Sequence, residues 1–183
     1  MKKAIKIDSK YIFIALIATL VLCFVFLLFS SPDNESEEAM TEISDLTNAI
    51  HDKFQKKPDY WGLNSEYVIN NSLFDEKKIK DNKLVSVLGN EILVGSDNSG
   101  AVAMPGTQSF NIVYKNISRK DCVILSSYNL DYAEKIGLLS ITIINSKGEK
   151  AFSWGGNEAL PISVSTAKDN CFSSENTIVW TFK

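Results

Sequence analysis

The amino-acid sequence predicts an α+β fold, in which a long N-terminal helix packs on an antiparallel sheet. In residues 11–58, apolar side chains first form an unbroken run and then recur every three or four positions, the spacing of one helix face. From residue 59 onward, short runs of alternating apolar and polar residues predominate, as in half-buried strands. Because helices and strands do not alternate regularly in this second part, the pattern favours α+β over a parallel α/β sheet.

Length and composition limit the class of protein. The chain has 183 residues, of which 45% are hydrophobic, and a net charge of −3, which suits one globular domain with an anchor. A nucleic-acid-binding protein would show a basic face or stripe. Here the lysines are scattered and their only dense group lies before residue 11, so nucleic acid is not expected as a partner.

A single membrane anchor is predicted near the N-terminus. Residues 11–29 (YIFIALIATLVLCFVFLLF) carry no charge and come close to the roughly 20 apolar residues that cross a bilayer core as a helix. Lysines precede this run and acidic residues follow it, and positively charged flanks stay in the cytoplasm. We therefore expect residues 1–10 to be cytoplasmic, residues 11–31 to form the transmembrane helix, and the rest of the chain to lie across the membrane.

A cleaved secretory signal is the alternative interpretation of the same run. Signal peptides have a shorter apolar core of about 7–15 residues and end in an A-x-A-like site. This run ends in LLFSSP, so a cut after Ser31 would place Phe29 and Pro32 at unfavourable positions. We therefore expect the anchor to stay uncleaved.

The anchor is predicted to continue as an amphipathic helix over residues 32–58, and we name the two halves together the spine. Its apolar stripe consists of Met40, Ile43, Leu46, Ile50 and Phe54. Acidic residues fill its first turns and lysines its last, as the helix dipole prefers, and Pro58 is expected to end it. Such a stripe must pack against something, most simply the rest of the domain.

Residues 59–183 are predicted to form the globular α+β domain. One short helix is expected over residues 75–80 and another after Ser118, whose side chain can cap it. Residues 97–107, rich in Gly, Ser and Asn, indicate a surface loop. The predicted strands are residues 84–88, Glu91–Gly95, the segment with Phe110, Ile112 and Tyr114, Leu138–Asn145, and Asn176–Phe182. The last strand is expected to be tied into the sheet.

The three cysteines fall into two classes. Cys23 lies in the apolar run, whereas Cys122 and Cys171 lie in the globular part. In an exported domain, two cysteines are most simply explained by one disulfide, and closing a loop of about 50 residues would contribute about 4 kcal/mol. Two unrelated buried thiols are the alternative.

Residues suited to catalysis or metal binding are few. His51 is the only histidine, and as a base it would need a nucleophile and an orienting partner, so we interpret it as a surface or groove residue. One histidine and two oxidised cysteines cannot supply the three or four ligands that zinc needs. Trp61, Trp154 and Trp180 are interpreted as core residues. The sequence therefore predicts no catalytic residue, no metal, no cofactor and no small-molecule substrate.

Four segments carry a resemblance to type IVb pilins, in particular the pilins of plasmid-type thin pili. They are residues 60–63 (YWGL), residues 88–94 (LGNEILV), residues 110–117 (FNIVYKNI) with the following Cys122, and residues 167–182 with Cys171 and the closing run NTIVWTF. The resemblance implies a pilin-like fold, with the spine packed on the sheet. It also implies a structural or accessory (minor) subunit of a type IVb pilus or related assembly system, serving adhesion, conjugation or secretion.

The same resemblance sets expectations for partners and location. The implied partners are membrane lipid and other pilin or pilus-assembly proteins. The implied location is the bacterial inner membrane, with the C-terminal domain periplasmic, or the pilus outside the cell. A membrane-anchored ligand-binding or sensory module of the envelope is the alternative, although a cytoplasmic tail of about ten residues argues against direct signalling.

The N-terminus departs from the pilin pattern. Such pilins carry a leader that a prepilin peptidase cuts, usually after a glycine, and a glutamate at the fifth position of the mature chain. Here no glycine precedes the apolar run, and the fifth residue counted from Tyr11 is Ala15. We therefore expect the first ten residues to be retained, and an accessory protein that does not form long homopolymers by itself.

Overall fold

The computed structural model describes residues 33–96, 108–128, 136–172 and 174–183, and Glu35–Lys183 forms one compact unit. The helices are α1 (Asp33–Phe54), α2 (Ser65–Asn70), α3 (Arg119–Ser126) and α4 (Val164–Asn170), with a 3-10 turn at Glu76–Lys78. The strands are β1 (Ile79–Lys80), β2 (Lys83–Val85), β3 (Glu91–Gly95), β4 (Phe110–Ile117), β5 (Leu138–Asn145), β6 (Gly148–Ser153) and β7 (Asn176–Phe182).

One antiparallel sheet organises the described part of the chain. Its strands lie in the order β1-β2-β3-β4-β7-β5-β6. The C-terminal strand β7 lies between β4 and β5, so that Trp180 pairs with Ile112 on one side and Ile141 on the other. The expectation that the last strand is tied into the sheet is confirmed, and this strand joins the two halves of the sheet.

The spine helix α1 packs its apolar stripe on one face of this sheet. Ile43, Leu46 and Ile50 are almost fully buried and belong to the same core cluster as the strand residue Trp180. Of the predicted stripe, only Met40 at its N-terminal end is half-buried. The predicted α+β arrangement, a helix on an antiparallel sheet, is therefore confirmed.

α1 ends earlier than the sequence predicts. Its last residue is Phe54, whereas the pattern predicts an end at Pro58. A residue that precedes a proline is disfavoured in the α conformation. Accordingly, the N–H of Lys57 donates to the carbonyl of Phe54 at 2.8 Å, which closes a tight turn instead of another helical turn.

Capping signals in the sequence predict α3 correctly. The Ser118 side chain accepts a hydrogen bond from the Asp121 N–H at 3.1 Å, and its hydroxyl donates to the Asp121 carboxylate at 2.6 Å. The first of these bonds satisfies one of the N–H groups that the first helical turn leaves without a partner. α3 therefore begins at the predicted place, and β5 and β7 also have the predicted bounds.

Between α1 and β4 the predictions are less accurate. The helix expected over residues 75–80 is only the 3-10 turn, because its last two residues pair with β2 as strand β1. The strand expected over residues 84–88 ends at Val85, and a tight turn with Gly89 at a φ of 79° leads into β3. The elements α2, β6 and α4 were not predicted.

Three predictions fall on other residues. Among the described residues, no helix is long and apolar enough to cross a membrane. The anchor predicted at residues 11–31, the thiol of Cys23 and the surface loop predicted at residues 97–107 lie outside the described residues. The boundaries of the cytoplasmic segment, of the transmembrane and amphipathic halves of the spine, and of the globular segment therefore stay predictions.

Candidate functional site

A buried polar network joins α1 to the sheet. Glu42 projects from α1 and is 7% exposed, and Tyr114 in β4 is fully buried. The Tyr114 hydroxyl donates to Glu42 Oε1 at 2.5 Å, and Lys78 Nζ, from the 3-10 turn, donates to Glu42 Oε2 at 2.8 Å. Lys78 Nζ also lies 3.5 Å from Glu38 Oε1. Glu42 thereby connects residues that lie 36 and 72 positions further along the chain.

Burial and charge set the protonation of this network. Burial raises the pKa of Tyr114 well above its usual value, and the charge of Glu42 and its hydrogen bond raise it further. Burial lowers the pKa of Lys78, but the hydrogen bonds and charges of Glu42 and Glu38 outweigh that effect, so the pKa of Lys78 is raised. At neutral pH the tyrosine is therefore a neutral donor and the lysine a cation, and both hold the carboxylate.

A groove of about 490 Å³ lies beside this network, between α1 and residues 72–78, and we name it the acidic groove. Its apolar residues are Leu46, Ala49, Leu73 and Phe74, and its polar residues are Glu38, Thr41, Glu42, Asp45, Ser72, Asp75 and Lys78. Four carboxylates against one lysine give the groove a negative charge. The groove therefore combines an apolar floor with an acidic rim, which suits a partner that is both apolar and cationic.

The C-terminal end of α1 carries an aromatic cluster around the single histidine. The ring of His51 lies edge-on to Phe110, with centroids 5.5 Å apart, and 6.2 Å from the ring of Tyr60. Its Nε2 lies 2.9 Å from the main-chain oxygen of Lys183. His51 lines a second groove of about 470 Å³ and contacts the end of β7, so it links the spine to the last strand.

Gly137 allows this close approach. Its φ is 80°, and a Cβ added there would lie 3.0 Å from the Lys183 oxygen and 3.6 Å from the His51 ring. The N–H of Lys183 donates to the Gly137 carbonyl at 2.8 Å. A residue without a side chain is therefore required both by the backbone conformation and by the packing.

The three tryptophans lie in different environments. Trp180 is 1% exposed and lies edge-on to Tyr114, with ring centroids 5.3 Å apart. Trp154 is 39% exposed, and its Nε1–H donates to the carbonyl of Leu138 at 2.7 Å. Trp61 is 77% exposed. The interpretation of all three as core residues is therefore wrong for Trp61 and Trp154, because each lies in a turn beyond the end of α1 or β6.

A disulfide joins Cys122 in α3 to Cys171, which directly follows α4. Both cysteines are fully buried in the main core cluster, with their Cα atoms 5.9 Å apart. The bond fixes the two short helices to each other and joins the segment after β4 to the segment before β7. Cys122 and Cys171 are the pair for which the sequence predicts a disulfide.

The described part of the chain offers contact surfaces more clearly than a reaction centre. Within it, no group of three or more His, Cys, Asp or Glu side chains could hold a metal ion. The His51 ring contacts aromatic rings and a main-chain oxygen. The distinctive features of the described residues are the buried network that holds α1 on the sheet, the acidic groove, and the exposed indole of Trp61.

Comparison with known proteins gives a match over most of the chain. Residues 29–183 match the family model named Bundlin. A protein of Escherichia coli O127:H6 (strain E2348/69 / EPEC) named "Major structural subunit of bundle-forming pilus" is 26% identical over 170 residues, which cover 91% of this chain and 82% of that protein. A protein of the same name from Escherichia coli O111:H- is 25% identical over 176 residues, which cover 92% and 89%.

Solved structures show the same fold. TcpA, a type IV pilin from Vibrio cholerae El Tor biotype, superposes with a TM-score of 0.57 at 9% identity and covers 82% of this chain and 99% of its own. A type IVb pilin from Salmonella typhi superposes with a TM-score of 0.52 at 14% identity and covers 81% and 97%. Because the family match spans most of the chain and the helix-on-sheet architecture is shared, this chain belongs to the Bundlin family and has the fold of a type IV pilin.

Proposed function

We propose that this chain is a structural subunit of a type IVb pilus. The observation that carries the proposal is the family match over residues 29–183, which includes all of the described helix α1 and the complete sheet. The two relatives, each named as a major structural subunit, support it. In this role the chain acts through contacts with other subunits, and it needs no enzymatic activity and no cofactor.

The organisation of the chain suits such a role. Residues 11–31 supply an apolar helix that anchors the subunit in the inner membrane and packs with equivalent helices in a fibre, since apolar contact is favourable but not directional. Residues 32–58 carry the helix into the globular domain, where Glu42 holds it on the sheet. Residues 59–183 then face the periplasm or the exterior. The partners of this proposal are membrane lipid, other pilins and the assembly proteins.

An accessory, minor subunit is the second candidate. One observation favours it: residues 11–29 carry no acid, and Ala15, the fifth residue counted from Tyr11, stands where pilins of this type carry a glutamate. An acid in an apolar helix bundle is tolerated when it is paired with a partner. Helices that carry no such acid lack this polar contact, which would set their stagger relative to one another. An accessory subunit would enter fibres built mainly by another pilin.

Expression of the full-length chain with a type IVb assembly machinery, in cells that lack every other pilin, tests the proposal. For a structural subunit we expect fibres that an antibody against residues 59–183 decorates along their length. For an accessory subunit we expect sparse decoration, and only when another pilin is supplied. Cells with the machinery but without this chain are the control. If the chain enters no fibre under either condition, the proposed function is wrong.

The proposed orientation has its own test. A periplasmic reporter fused after Lys183 should be active, and a cytoplasmic reporter at the same position should be silent. The reverse result would contradict the placement of residues 59–183 outside the cytoplasm.

A further inference from the structure

We propose that two copies of this chain bind head to tail, with Trp61 of one copy inserted in the acidic groove of the next. The inference deepens the proposed function, on which it rests, because it names the contact between neighbouring globular domains. The occupant of the groove is a second copy, identified by the chemistry of the two surfaces. Both surfaces consist of described residues, and they lie at different places on the same domain.

The projecting surface consists of the last two residues of α1 and the turn that follows them, residues 53–61, which we name the tryptophan turn. Trp61 is the most exposed large hydrophobic side chain among the described residues. The backbone N–H of Trp61 donates to the Asp59 carboxylate at 3.0 Å, which fixes the main chain of the turn, and the indole is 77% exposed. A rigid aromatic side chain that is exposed in this way is the kind of group that anchors protein–protein interfaces.

The charge of the tryptophan turn is positive. Lys53, Lys56 and Lys57 are exposed, and Asp59 is the only acid of the same segment. The Lys57 ammonium lies 4.0 Å from the centre of the Phe54 ring and also bonds to the hydroxyl of Tyr67 at 3.2 Å. Lys53 and Lys56 are therefore the cations that best reach a partner.

The receiving surface matches this turn in size and in charge. The acidic groove has a volume of about 490 Å³, within the range of roughly 300–1,000 Å³ that accommodates ligands larger than an indole. Leu73 and Ala49 are half-buried in its floor, and Asp45 is exposed on its rim. Lys78 contacts Glu42 and Glu38, so the lysine of the groove is already engaged within its own copy.

Position along α1 makes the contact intermolecular. Asp45 lies nine residues before Phe54, the last residue of the helix, which corresponds to about 14 Å along the axis. The indole therefore stays outside the groove of its own chain, as its exposure shows. Because the two surfaces differ, each copy offers its tryptophan turn to one neighbour and its acidic groove to another. Such heterologous contacts continue from subunit to subunit instead of closing a two-fold dimer.

Site-specific photo-crosslinking in membranes tests the contact directly. A benzophenone amino acid replaces Trp61 in the full-length chain, expressed with a pilus assembly machinery. We expect adducts between two copies, mapped by mass spectrometry to α1 residues 38–49 or to residues 72–78. The same label at Phe172, another exposed aromatic residue, is the control and should give no adduct in the groove. Adducts only to another protein, or only elsewhere on this chain, would overturn the inference.

A charge exchange provides a second test that a loss of folding cannot imitate. Asp45→Lys and Lys56→Glu should each reduce the adduct yield about fivefold, the scale of a surface ion pair. The double variant, in which the charges are exchanged, should recover most of the yield. Lys168→Glu, an exposed lysine on α4, is the matched control and should change nothing. If the double variant is as weak as the single ones, the charge pairing is wrong.

The outcome can be separated from that of the proposed function. Trp61→Ala should lower the number of fibres while the disulfide Cys122–Cys171 still forms, because an exposed side chain contributes little to folding. If Trp61→Ala assembles like the wild type and the adducts lie outside the groove, the head-to-tail contact is wrong and the pilin function stands. If no fibre forms with the wild type, the membrane crosslinks still decide the contact.

Discussion

The contact between Glu42 and Tyr114 should hold the spine on the sheet, and removing one hydroxyl measures its strength. Tyr114→Phe deletes the donor and keeps the ring, which packs edge-on to Trp180. Hydrogen bonds to charged groups contribute about 1.5–3 kcal/mol to stability. Glu42 keeps its bond to Lys78 in this variant, so we expect a loss near the lower end of that range.

Removing the carboxylate should cost more. Glu42→Leu leaves the buried Tyr114 hydroxyl without its acceptor, at about 1–3 kcal/mol. Lys78 loses its closer partner, but its side chain is 27% exposed and keeps Glu38, so it can turn to solvent. We expect the free energy of unfolding to fall by about 2–4 kcal/mol, because the unpaired Tyr114 hydroxyl and the lost ion pair with Lys78 both destabilise the folded state. Adding Tyr114→Phe to Glu42→Leu should then restore stability, because the unpaired hydroxyl disappears.

The assay is urea-induced unfolding of the full-length oxidised protein in detergent, followed by intrinsic fluorescence and circular dichroism. Tyr60→Phe, which lies outside the network, is the matched control and should change the free energy of unfolding by less than about 0.5 kcal/mol. The reasoning is refuted if Tyr114→Phe costs no more than this control, or if the two network substitutions are simply additive.

Three further predictions concern pH, a glycine and the disulfide. The raised pKa of Tyr114 favours the protonated form in the folded state, so its contribution is complete below about pH 10, the unfolded value, and is lost as pH rises further; alkaline titration of stability should show this fall, and a Tyr114→Phe variant should show less of it. Gly137→Ala should cost about 1–3 kcal/mol, because the positive φ and the Lys183 oxygen oppose a side chain; a melting temperature equal to that of the wild type would contradict this. Replacing Cys122 and Cys171 together by alanine should lower stability by about 4 kcal/mol, from a separation of 49 residues; unfolding in denaturant checks it, and an unchanged midpoint would rule it out.

Local patterns in the sequence predict the elements whose cause is local. The stripe from Ile43 to Phe54 predicts α1, because a period near 3.6 is a property of the helix itself. Ser118 predicts the start of α3 through a hydrogen bond that spans three residues. Asn176–Phe182 predicts β7 through alternation. The pattern of α2 is less distinct, although Asn64, whose side chain accepts from the Tyr67 N–H, is an N-cap signal that could have revealed it.

The candidate contact surfaces depend on residues that are distant in sequence. Nothing local distinguishes Glu42 from the other acids of α1, because its partners Lys78 and Tyr114 lie 36 and 72 residues away. Likewise, Trp61 and Trp180 are the same residue type, and only the fold exposes one and buries the other. The groove beside Glu42 exists because residues 72–78 lie beside α1 in the fold.

The sequence by itself determined the helix-on-sheet class, the apolar face of the spine and the closing strand, since each follows from periodicity within a short segment. It also indicated the pair of cysteines, since Cys122 and Cys171 are the two in the part predicted to be exported. The tertiary structure alone decided that β7 lies between β4 and β5, that Glu42 is buried against Tyr114, and that an acidic groove and an exposed indole lie at different places on one domain. The physical reason is that burial and electrostatic pairing are properties of neighbours in space, and most of those neighbours are brought together only when the chain has folded.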